Sequence, residues 1–189
     1  MKAVAAMALN RVIGRAGGIP WHLPEDFRWF KTLTMGGILV MGSRTLLSLG
    51  RPLAGRGHVV LSRDPERLCG AVGDWALFWE RARNAGWKVR LQPEWEGWGG
   101  VGDREIWLLE GGAEIIAAEA ESVRPVFLAG GAQIYEQWLG ACGELFLSVV
   151  EREVEGDAVF PEFESRFEWV ETVMRSEGFH VRRYQRRNP

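Results

Sequence analysis

Cysteine is nearly absent from this chain of 189 residues, which contains Cys69 and Cys142 and no other. Two cysteines are too few for a disulfide framework or a cysteine-held metal cluster, and no CxxC pair is present for thiol–disulfide exchange. We therefore expect a protein of a reducing compartment, the cytoplasm, with no metal site.

The chain also lacks an excess of either charge. Its 23 Lys and Arg residues nearly balance 25 Asp and Glu residues, which gives a formal net charge of -2. Proteins that bind nucleic acid carry a clear basic excess to neutralise phosphates, and this chain as a whole has none. We interpret a short basic tail as solvated surface; it contains Arg182, Arg183, Arg186 and Arg187. No nucleic-acid partner is expected.

Long hydrophobic runs are missing as well. The beginning of the chain, MKAVAAMAL, could imitate the apolar core of a signal peptide, but Asn10, Arg11 and Gly14 interrupt it at once. No window approaches the ~18 apolar residues of a membrane span. We interpret the run as a buried strand and expect no membrane partner.

Several catalytic motifs are absent. The three histidines, His22, His58 and His180, are scattered, and the chain has no HExxH, GxSxG or P-loop sequence. Hydrolase and kinase functions therefore lack their machinery.

Apolar runs and helix-like stretches alternate along the chain. The runs predict strands at Ala3–Ala8, Gly37–Met41, His58–Leu61, Ile106–Leu109, Val126–Ala129 and Glu144–Val150. The stretches between them predict helices at Pro24–Leu33, Ser43–Leu49, Ala113–Ser122 and Ala132–Leu139. This order is typical of an α/β fold with a mostly parallel central sheet and helices on both faces.

The last segment differs from the others. Residues Phe167–Gln185 alternate apolar and polar side chains, which predicts an antiparallel edge hairpin that turns near Gly178. We predict one domain that spans residues 1–189.

Two predicted strands run into glycine and then into a helix. They are the segments 38–45, ILVMGSRT, and 126–133, VFLAGGAQ. Glycine lets a ligand approach the backbone, and the first N–H groups of a helix attract phosphate. Arg44 and Arg63 could bind a 2′-phosphate through paired hydrogen bonds. Tight turns and solvated arginines are the alternative, since neither segment is a GxGxxG fingerprint.

Asp26 is the one carboxylate in an unusual setting, within the segment 19–31, IPWHLPEDFRWFK. Pro24 suits the first turn of a helix, and Phe27 and Phe30 then share a face. On spacing alone, Asp26 could equally complement the helix dipole or act in catalysis. Its aromatic neighbours favour catalysis.

Short motifs in a fixed order resemble a known family. They are Val12-Ile13-Gly14, the segment 18–26 (GIPWHLPED), Met41-Gly42, Gly50-Arg51-Pro52-Leu53, Leu61-Ser62-Arg63, Gly130-Gly131 with Tyr135, and Glu155-Gly156-Asp157 with Phe160-Pro161. Over residues 1–63 and about 106–163 the chain resembles the dihydrofolate reductases. The resemblance implies their fold and an oxidoreductase of one-carbon metabolism that reduces 7,8-dihydrofolate to 5,6,7,8-tetrahydrofolate with NADPH.

The resemblance also implies roles for individual residues. Asp26 would bind N3 and the 2-amino group of the pterin, Ser148 would stand behind the carboxylate, and Trp21 would help to order the water that protonates N5. Arg56 would bind the glutamate α-carboxylate. The other residues around the substrate would be Val4, Ala5, Ala6, Phe27, Phe30, Leu49, Leu53 and Ala129.

NADPH would be bound, by the same resemblance, along two glycine segments and the strand end between them. The residues implied are Ala6, Ile13, Gly14, Gly42, Ser43, Arg44, Thr45, Leu61, Ser62, Arg63, Gly130, Gly131, Ala132, Gln133, Ile134 and Tyr135. The family has a cis peptide at the position of Gly130-Gly131. The loop from Gly14 to Leu23 would close over the nicotinamide as a mobile lid.

Some positions depart from the family pattern. Ala129 stands where a larger aliphatic residue is common, Gln133 and Ser43 where arginines occur, and Leu46 where an aromatic is frequent. A smaller Ala129 should widen the site and cost about 1 kcal/mol per lost methylene-scale contact, which weakens binding without abolishing turnover.

Residues 66–104 are predicted to be an insertion in the family fold. Within it, Trp75–Arg83 resembles a helix and Trp95–Gly100 a loop, and five of the ten tryptophans fall there: Trp75, Trp79, Trp87, Trp95 and Trp98. The insertion could be a lid or dimer contact, or a surface excursion packed on its own small cluster. We expect a monomer, with a dimer through the insertion as the alternative.

Two other functions stay open. One is a relative of the same fold that reduces another heterocycle, such as the pyrimidine reductase of riboflavin synthesis. The other is a non-catalytic protein that binds folate or a nucleotide. The pairing of Trp21 with Asp26 argues against the first, and the presence of Asp26 argues against the second.

Overall fold

The computed structural model describes residues 1–50, 52–63, 88–92, 105–109 and 124–187. In chain order the elements are β1 (Lys2–Ala8), β2 (Val12–Gly14), α1 (Pro24–Thr34), β3 (Ile38–Gly42), α2 (Ser43–Ser48), β4 (Gly57–Leu61), β5 (Lys88–Gln92), β6 (Glu105–Leu109), β7 (Val126–Leu128), α3 (Ala132–Trp138), β8 (Glu144–Val150), β9 (Ala158–Val159), β10 (Phe167–Ser176) and β11 (Phe179–Arg186). They form two compact units, one of Met1–Leu33 with Leu128–Pro189 and one of Thr34–Phe127.

The first unit contains the strand order β10-β11-β8-β1. Strands β1 and β8 are parallel, and their register places Ala6 opposite Ser148. Strand β11 runs antiparallel to both β8 and β10. Gly178, with a φ of 79°, lies in the turn between β10 and β11, where a left-handed backbone conformation favours glycine. A separate two-stranded sheet joins β2 to β9.

The core of the first unit has an apolar and an aromatic part. Trp21 packs with Ala8, Val12 and Val150, and Ala6 and Leu23 lie against this cluster. The rings of Tyr135, Phe160, Phe163 and Tyr184 follow one another with centroid distances of 4.8, 5.7 and 5.1 Å. Edge-to-face and tilted ring contacts of this kind add to the stability that burial of the rings provides.

The second unit is built on parallel strands. Strand β3 pairs with β4, β4 with β6, and β6 with β5, all in the parallel sense. Every residue of β4 is buried, as are Ile38–Met41 in β3. Continuous apolar strands of this kind need cover on both faces, which is the reason the sequence shows runs rather than alternation here.

The structure confirms the predicted α/β fold with a mostly parallel sheet and a C-terminal antiparallel hairpin. Strand β8 has the predicted bounds, and the other described strands and helices differ from theirs by a residue or two at their ends. Strands β2, β5 and β9 were not predicted. The predicted helices Ala113–Ser122 and Trp75–Arg83 and the loop Trp95–Gly100 lie outside the described residues.

Strand β5 is the one described element inside the predicted insertion 66–104. It extends the parallel sheet beside β6, with Lys88 opposite Glu105. Among the residues that the structure describes, no helix is long and apolar enough to cross a membrane.

Candidate active site

Asp26 and Ser148 form a buried pair in the first unit. Helix α1 begins at Pro24 and has Glu25 and Asp26 in its first turn, where acidic residues complement the helix dipole. Glu25 is exposed, whereas only 8% of Asp26 is. The Ser148 hydroxyl on β8 donates a 2.5 Å hydrogen bond to Oδ1 of Asp26. The helix therefore turns one of two adjacent carboxylates into the protein.

Burial changes the acidity of Asp26. Loss of water around the carboxylate raises its pKa above the ordinary value of 3.8, and the hydrogen bond from Ser148 opposes this rise. Desolvation disfavours the charged form, and a donor to the carboxylate favours it. Burial is the larger effect, so Asp26 holds its proton to a higher pH than an exposed aspartate does.

Aromatic and small side chains lie on the elements around this pair. Trp21, just before α1, is buried in the apolar cluster with Ala8 and Val150. Phe27 follows Asp26 on α1, is 42% exposed and has its ring 6.0 Å from that of His22. Ala5 and Ala6 on β1 are small and partly exposed.

Tyr135 links α3 to β1 within the same unit. Its hydroxyl donates a 2.6 Å hydrogen bond to the carbonyl of Val4, and burial raises the pKa of the phenol, which stays protonated. The Gly130-Gly131 peptide bond before α3 is cis, as the resemblance implies. A Cβ at Gly130 would lie 2.9 Å from the Tyr135 ring, so this position requires glycine. Sequence reasoning did not foresee the bond to Val4.

The predicted lid, Gly14–Leu23, is fastened at its beginning. Arg15 and Gly18 exchange backbone hydrogen bonds of 2.9 and 3.0 Å, which closes a small turn. The amide of Ala16 donates to Oδ1 of Asp157 at 3.1 Å, and the amide of Asp157 donates to the Gly14 carbonyl at 3.0 Å. Asp157 thus holds the loop from both sides, a role that the sequence motif alone did not reveal. The lid's mobility stays a prediction.

Two helices begin after glycine without a side-chain cap. In the second unit, α2 follows Gly42, and in the first unit α3 follows Gly131. The first N–H groups of a helix have no partner within it, so an uncapped start can bind an anion. Ser43, Thr45 and Ser62 are half-buried, whereas the guanidinium side chains of Arg44 and Arg63 are exposed.

Arg56 is the other buried charge of the described residues that the sequence singled out. It follows a turn in the second unit, and only 4% of it is exposed. Its guanidinium donates to the Ala54 carbonyl at 3.2 Å and to the Thr34 hydroxyl at 3.3 Å. Burial lowers the pKa of Arg56 below its ordinary value, but a guanidinium remains charged in proteins.

The remaining predicted site residues fall into three classes of exposure. The buried ones include Val4, Leu61, Gly130 and Tyr135. Those partly exposed are Ala5, Ala6, Ile13, Gly14, Phe30, Gly42, Ser43, Thr45, Leu49, Leu53, Ser62, Ala129, Gly131, Ala132 and Ile134. Gln133 is exposed with Phe27, Arg44 and Arg63. In the first unit the structure brings Asp26 to Ser148 and Tyr135 to Val4, and it places Ala6 against the apolar cluster that contains Trp21.

Comparison with known proteins decides the family. A protein-family model described as dihydrofolate reductase matches residues 1–81 and 104–185. The chain belongs to the dihydrofolate reductase family. The internal stretch that the family model leaves unmatched, 82–103, lies inside the predicted insertion 66–104, which stays a prediction.

Individual dihydrofolate reductases agree with this assignment. Dihydrofolate reductase HdrB of Haloferax volcanii is 36% identical over 192 residues, covering 98% of this chain and 83% of that protein. Dihydrofolate reductase type 3 of Salmonella typhimurium is 32% identical, covering 85% of this chain and 77% of that protein.

A solved structure extends the likeness to the fold. Dihydrofolate reductase from Enterococcus faecalis, complexed with NADP(H) and RAB-propyl, superposes with a TM-score of 0.70 at 26% identity. The match covers 99% of this chain and 96% of that one. The mixed α/β architecture described above is therefore that of the dihydrofolate reductase family.

Proposed function

We propose that this chain reduces 7,8-dihydrofolate to 5,6,7,8-tetrahydrofolate with NADPH. The observation that carries the proposal is the buried Asp26 carboxylate and its 2.5 Å hydrogen bond from Ser148. Asp26 is the only buried carboxylate among the residues whose side chains the structure describes. A buried acid is costly unless a partner or a function uses it, and the relatives of this chain are named dihydrofolate reductases.

Asp26 is proposed to hold the pterin ring. A carboxylate has two oxygens that can accept from N3 and the 2-amino group at the same time, which fixes the direction of a planar ring. The Ser148 hydroxyl donates a hydrogen bond to Oδ1 of Asp26, which restrains the rotation of the carboxylate. Phe27 and Phe30 on α1 and the small residues of β1 are proposed to contact the ring and the aminobenzoyl group.

Arg56 is proposed to bind the substrate's anionic tail. Its charge is permanent, and its planar group matches a carboxylate with two parallel hydrogen bonds. The contacts with Thr34 and Ala54 fix the direction of the guanidinium. Leu49 and Leu53, both partly exposed, are proposed to contact the apolar middle of the substrate.

NADPH is proposed to bind at the two uncapped helix starts. The residues proposed to hold it are those that the resemblance implies around Gly42–Thr45, Leu61–Arg63 and Gly130–Tyr135, with Ala6, Ile13 and Gly14 near the nicotinamide. Arg44 and Arg63 are exposed and therefore accessible to bind a 2′-phosphate. When bound, NADPH supplies the hydride that is transferred to C6 of the pterin.

The protein's own part in the proton transfer centres on Asp26. Because the carboxylate is proposed to hold the far edge of the ring, we propose that water delivers the proton to N5 and that Trp21 helps to order this water. The raised pKa of Asp26 keeps a proton available at higher pH than an exposed aspartate would. We expect the rate to fall as pH rises through this pKa, because protons become scarce in the pocket.

The decisive experiment measures NADPH oxidation with dihydrofolate for the wild-type chain and Asp26→Asn. Wild-type activity is expected, and the variant should lose about 10²–10⁴-fold in kcat/KM near neutral pH. Glu25→Gln is the matched control, since Glu25 is the adjacent but exposed carboxylate; it should keep wild-type activity.

Three results would contradict the proposal or part of it. An inactive wild-type chain that still binds folate indicates a non-catalytic binding protein. Reduction of a pyrimidine in place of dihydrofolate indicates the related reductase function. Full activity of Asp26→Asn at neutral pH would remove the role given to this carboxylate.

A further inference from the structure

A network of hydrogen bonds in the second unit surrounds Arg56. The amide of Gly36 donates to the Gly55 carbonyl at 2.9 Å, and the amide of Gly57 donates to the Gly37 carbonyl at 3.0 Å. These bonds fasten the turn before β4 to the turn that follows α1. Their effect is to limit the positions that the Arg56 backbone can adopt.

His58 lies at the centre of this network. It is the second residue of β4 and is completely buried. Its Nε2 accepts a 3.1 Å hydrogen bond from the amide of Leu53, five residues earlier. The ring therefore links Leu53, at the start of the turn of residues 53–57, to β4, in addition to the bonds that join this turn to Gly36 and Gly37.

The protonation state of His58 suits this contact. Burial, and next the charge of Arg56, lower the pKa of His58 to about 3, while a hydrogen bond with the Arg56 backbone acts in the opposite direction. A neutral imidazole has one nitrogen that donates and one that accepts. With Nε2 accepting from Leu53, the ring proton resides on Nδ1, and the ring adds no second positive charge beside Arg56.

We propose that His58 is a positioning residue for recognition of the substrate's anionic tail. By accepting the Leu53 amide, it fixes the turn that carries both Leu53 and Arg56, so that the guanidinium is already directed when a carboxylate arrives. This inference rests on the proposed function, because it assigns His58 to the glutamate end of a folate. It concerns affinity for the tail and leaves the chemistry at the pterin to Asp26.

A matched pair of substitutions isolates the acceptor. Methionine and glutamine side chains have the same length, but the glutamine carbonyl oxygen is a strong acceptor for the Leu53 amide, whereas the methionine sulfur is only a weak one. The probes are folate and pteroate, which is folate without its glutamate, and binding is measured by isothermal titration calorimetry. Circular dichroism verifies that each variant is folded.

His58→Met should weaken folate binding about tenfold, because a buried amide loses its partner, and should change pteroate binding by less than about twofold. His58→Gln should restore folate binding to within about threefold of the wild type. In the assay, His58→Met should raise KM for dihydrofolate and leave kcat within about twofold. His180→Met is the control, since His180 is a buried histidine of the first unit. This variant should not weaken folate binding more than it weakens pteroate binding.

Other results would overturn the inference. Equal weakening of both ligands by His58→Met indicates a general structural role, and unchanged folate binding indicates none. If the wild-type protein is active but His58→Met changes the affinities for folate and pteroate equally, only the inference about His58 fails. If wild-type protein neither binds folate nor oxidises NADPH, the proposed function fails with it.

A measurement on the wild-type chain covers the case in which neither variant folds. With ¹⁵N-labelled histidine, the His58 Nε2 resonance at neutral pH should be that of an unprotonated, hydrogen-bonded nitrogen. A protonated Nε2 cannot accept the Leu53 amide and would overturn the inference without any substitution.

Discussion

Asp26 and Arg56 are both almost enclosed, with 8% and 4% of their surfaces exposed, yet burial has different consequences for the two regions. In the first unit it raises the pKa of a carboxylate, so the charge of Asp26 can change with pH. In the second unit burial lowers the pKa of the Arg56 guanidinium below its ordinary value, but this group stays charged in proteins. The first region can therefore control a proton, whereas the second can only hold a fixed charge in place.

The neighbours of the two groups reflect this difference. Ser148 donates to Asp26 and so favours its ionised form, which limits the rise in pKa. Arg56 donates to Thr34 and Ala54, and the adjacent His58 is kept neutral. Ser148 therefore adjusts the protonation equilibrium of Asp26, whereas the partners of Arg56 fix the orientation of its guanidinium.

The largest effect on KM should come from removing the fixed charge. Arg56→Leu should raise KM for dihydrofolate by about 10–100-fold and leave kcat within about twofold, because a charge-assisted hydrogen bond contributes about 1.5–3 kcal/mol. Steady-state kinetics with dihydrofolate and dihydropteroate test this, and KM for dihydropteroate should not change. Arg56→Lys should be intermediate, since it keeps the charge but loses the planar fork. A fall in kcat with an unchanged KM would contradict this prediction, because it would assign Arg56 to the chemical step and not to substrate binding.

The next prediction is that Asp26→Asn, which should lower activity, should increase the stability of the folded protein. Folded Asp26 binds its proton more tightly than unfolded Asp26, whose pKa is near 3.8. The folded state therefore loses stability as pH rises from that value through the raised pKa, and the loss persists above it. Asp26→Asn removes the charge and should raise the urea midpoint at pH 7, with the gain shrinking as pH falls toward 4.

Arg56→Leu provides the contrast for this experiment. The guanidinium does not titrate in the same pH window, so the change in urea midpoint that this variant causes should be independent of pH. A gain for Asp26→Asn that is equal at every pH would show that packing, and not desolvation of the carboxylate, determines its stability.

Much of the fold could be predicted because its strands are buried on both faces. Strands β3, β4 and β8 consist of apolar runs whose ends are marked by glycine or charge, and these positions were found. Strands β2 and β9 have three and two residues, too few to show any period. Strand β5 alternates polar and apolar residues within a tryptophan-rich stretch, where no neighbouring pattern indicated a sheet.

The residues of the candidate site were harder to predict from the sequence pattern than the strands were. Spacing left Asp26 open between the helix dipole and catalysis, and the resemblance to a family was needed to pair it with Ser148. The two residues are 122 positions apart in the chain, so only the fold brings them together. His58 showed no signal at all, since a lone histidine in an apolar strand reveals neither its partner nor its protonation state.

The smallest predicted effect separates the two opposing influences on Asp26. Ser148→Ala removes the hydrogen bond that favours the ionised form and leaves the desolvation that disfavours it, so the pKa of Asp26 should rise further. The falling limb of the kcat/KM profile should then move to higher pH, and on the alkaline side the variant should retain more of its maximal rate than the wild type. The change at any one pH should not exceed about tenfold, because one hydrogen bond contributes about 0.5–1.5 kcal/mol. Ser148→Thr keeps the hydroxyl and should leave the limb in place; a limb that moves to lower pH in Ser148→Ala would mean that Ser148 stabilises the protonated acid instead.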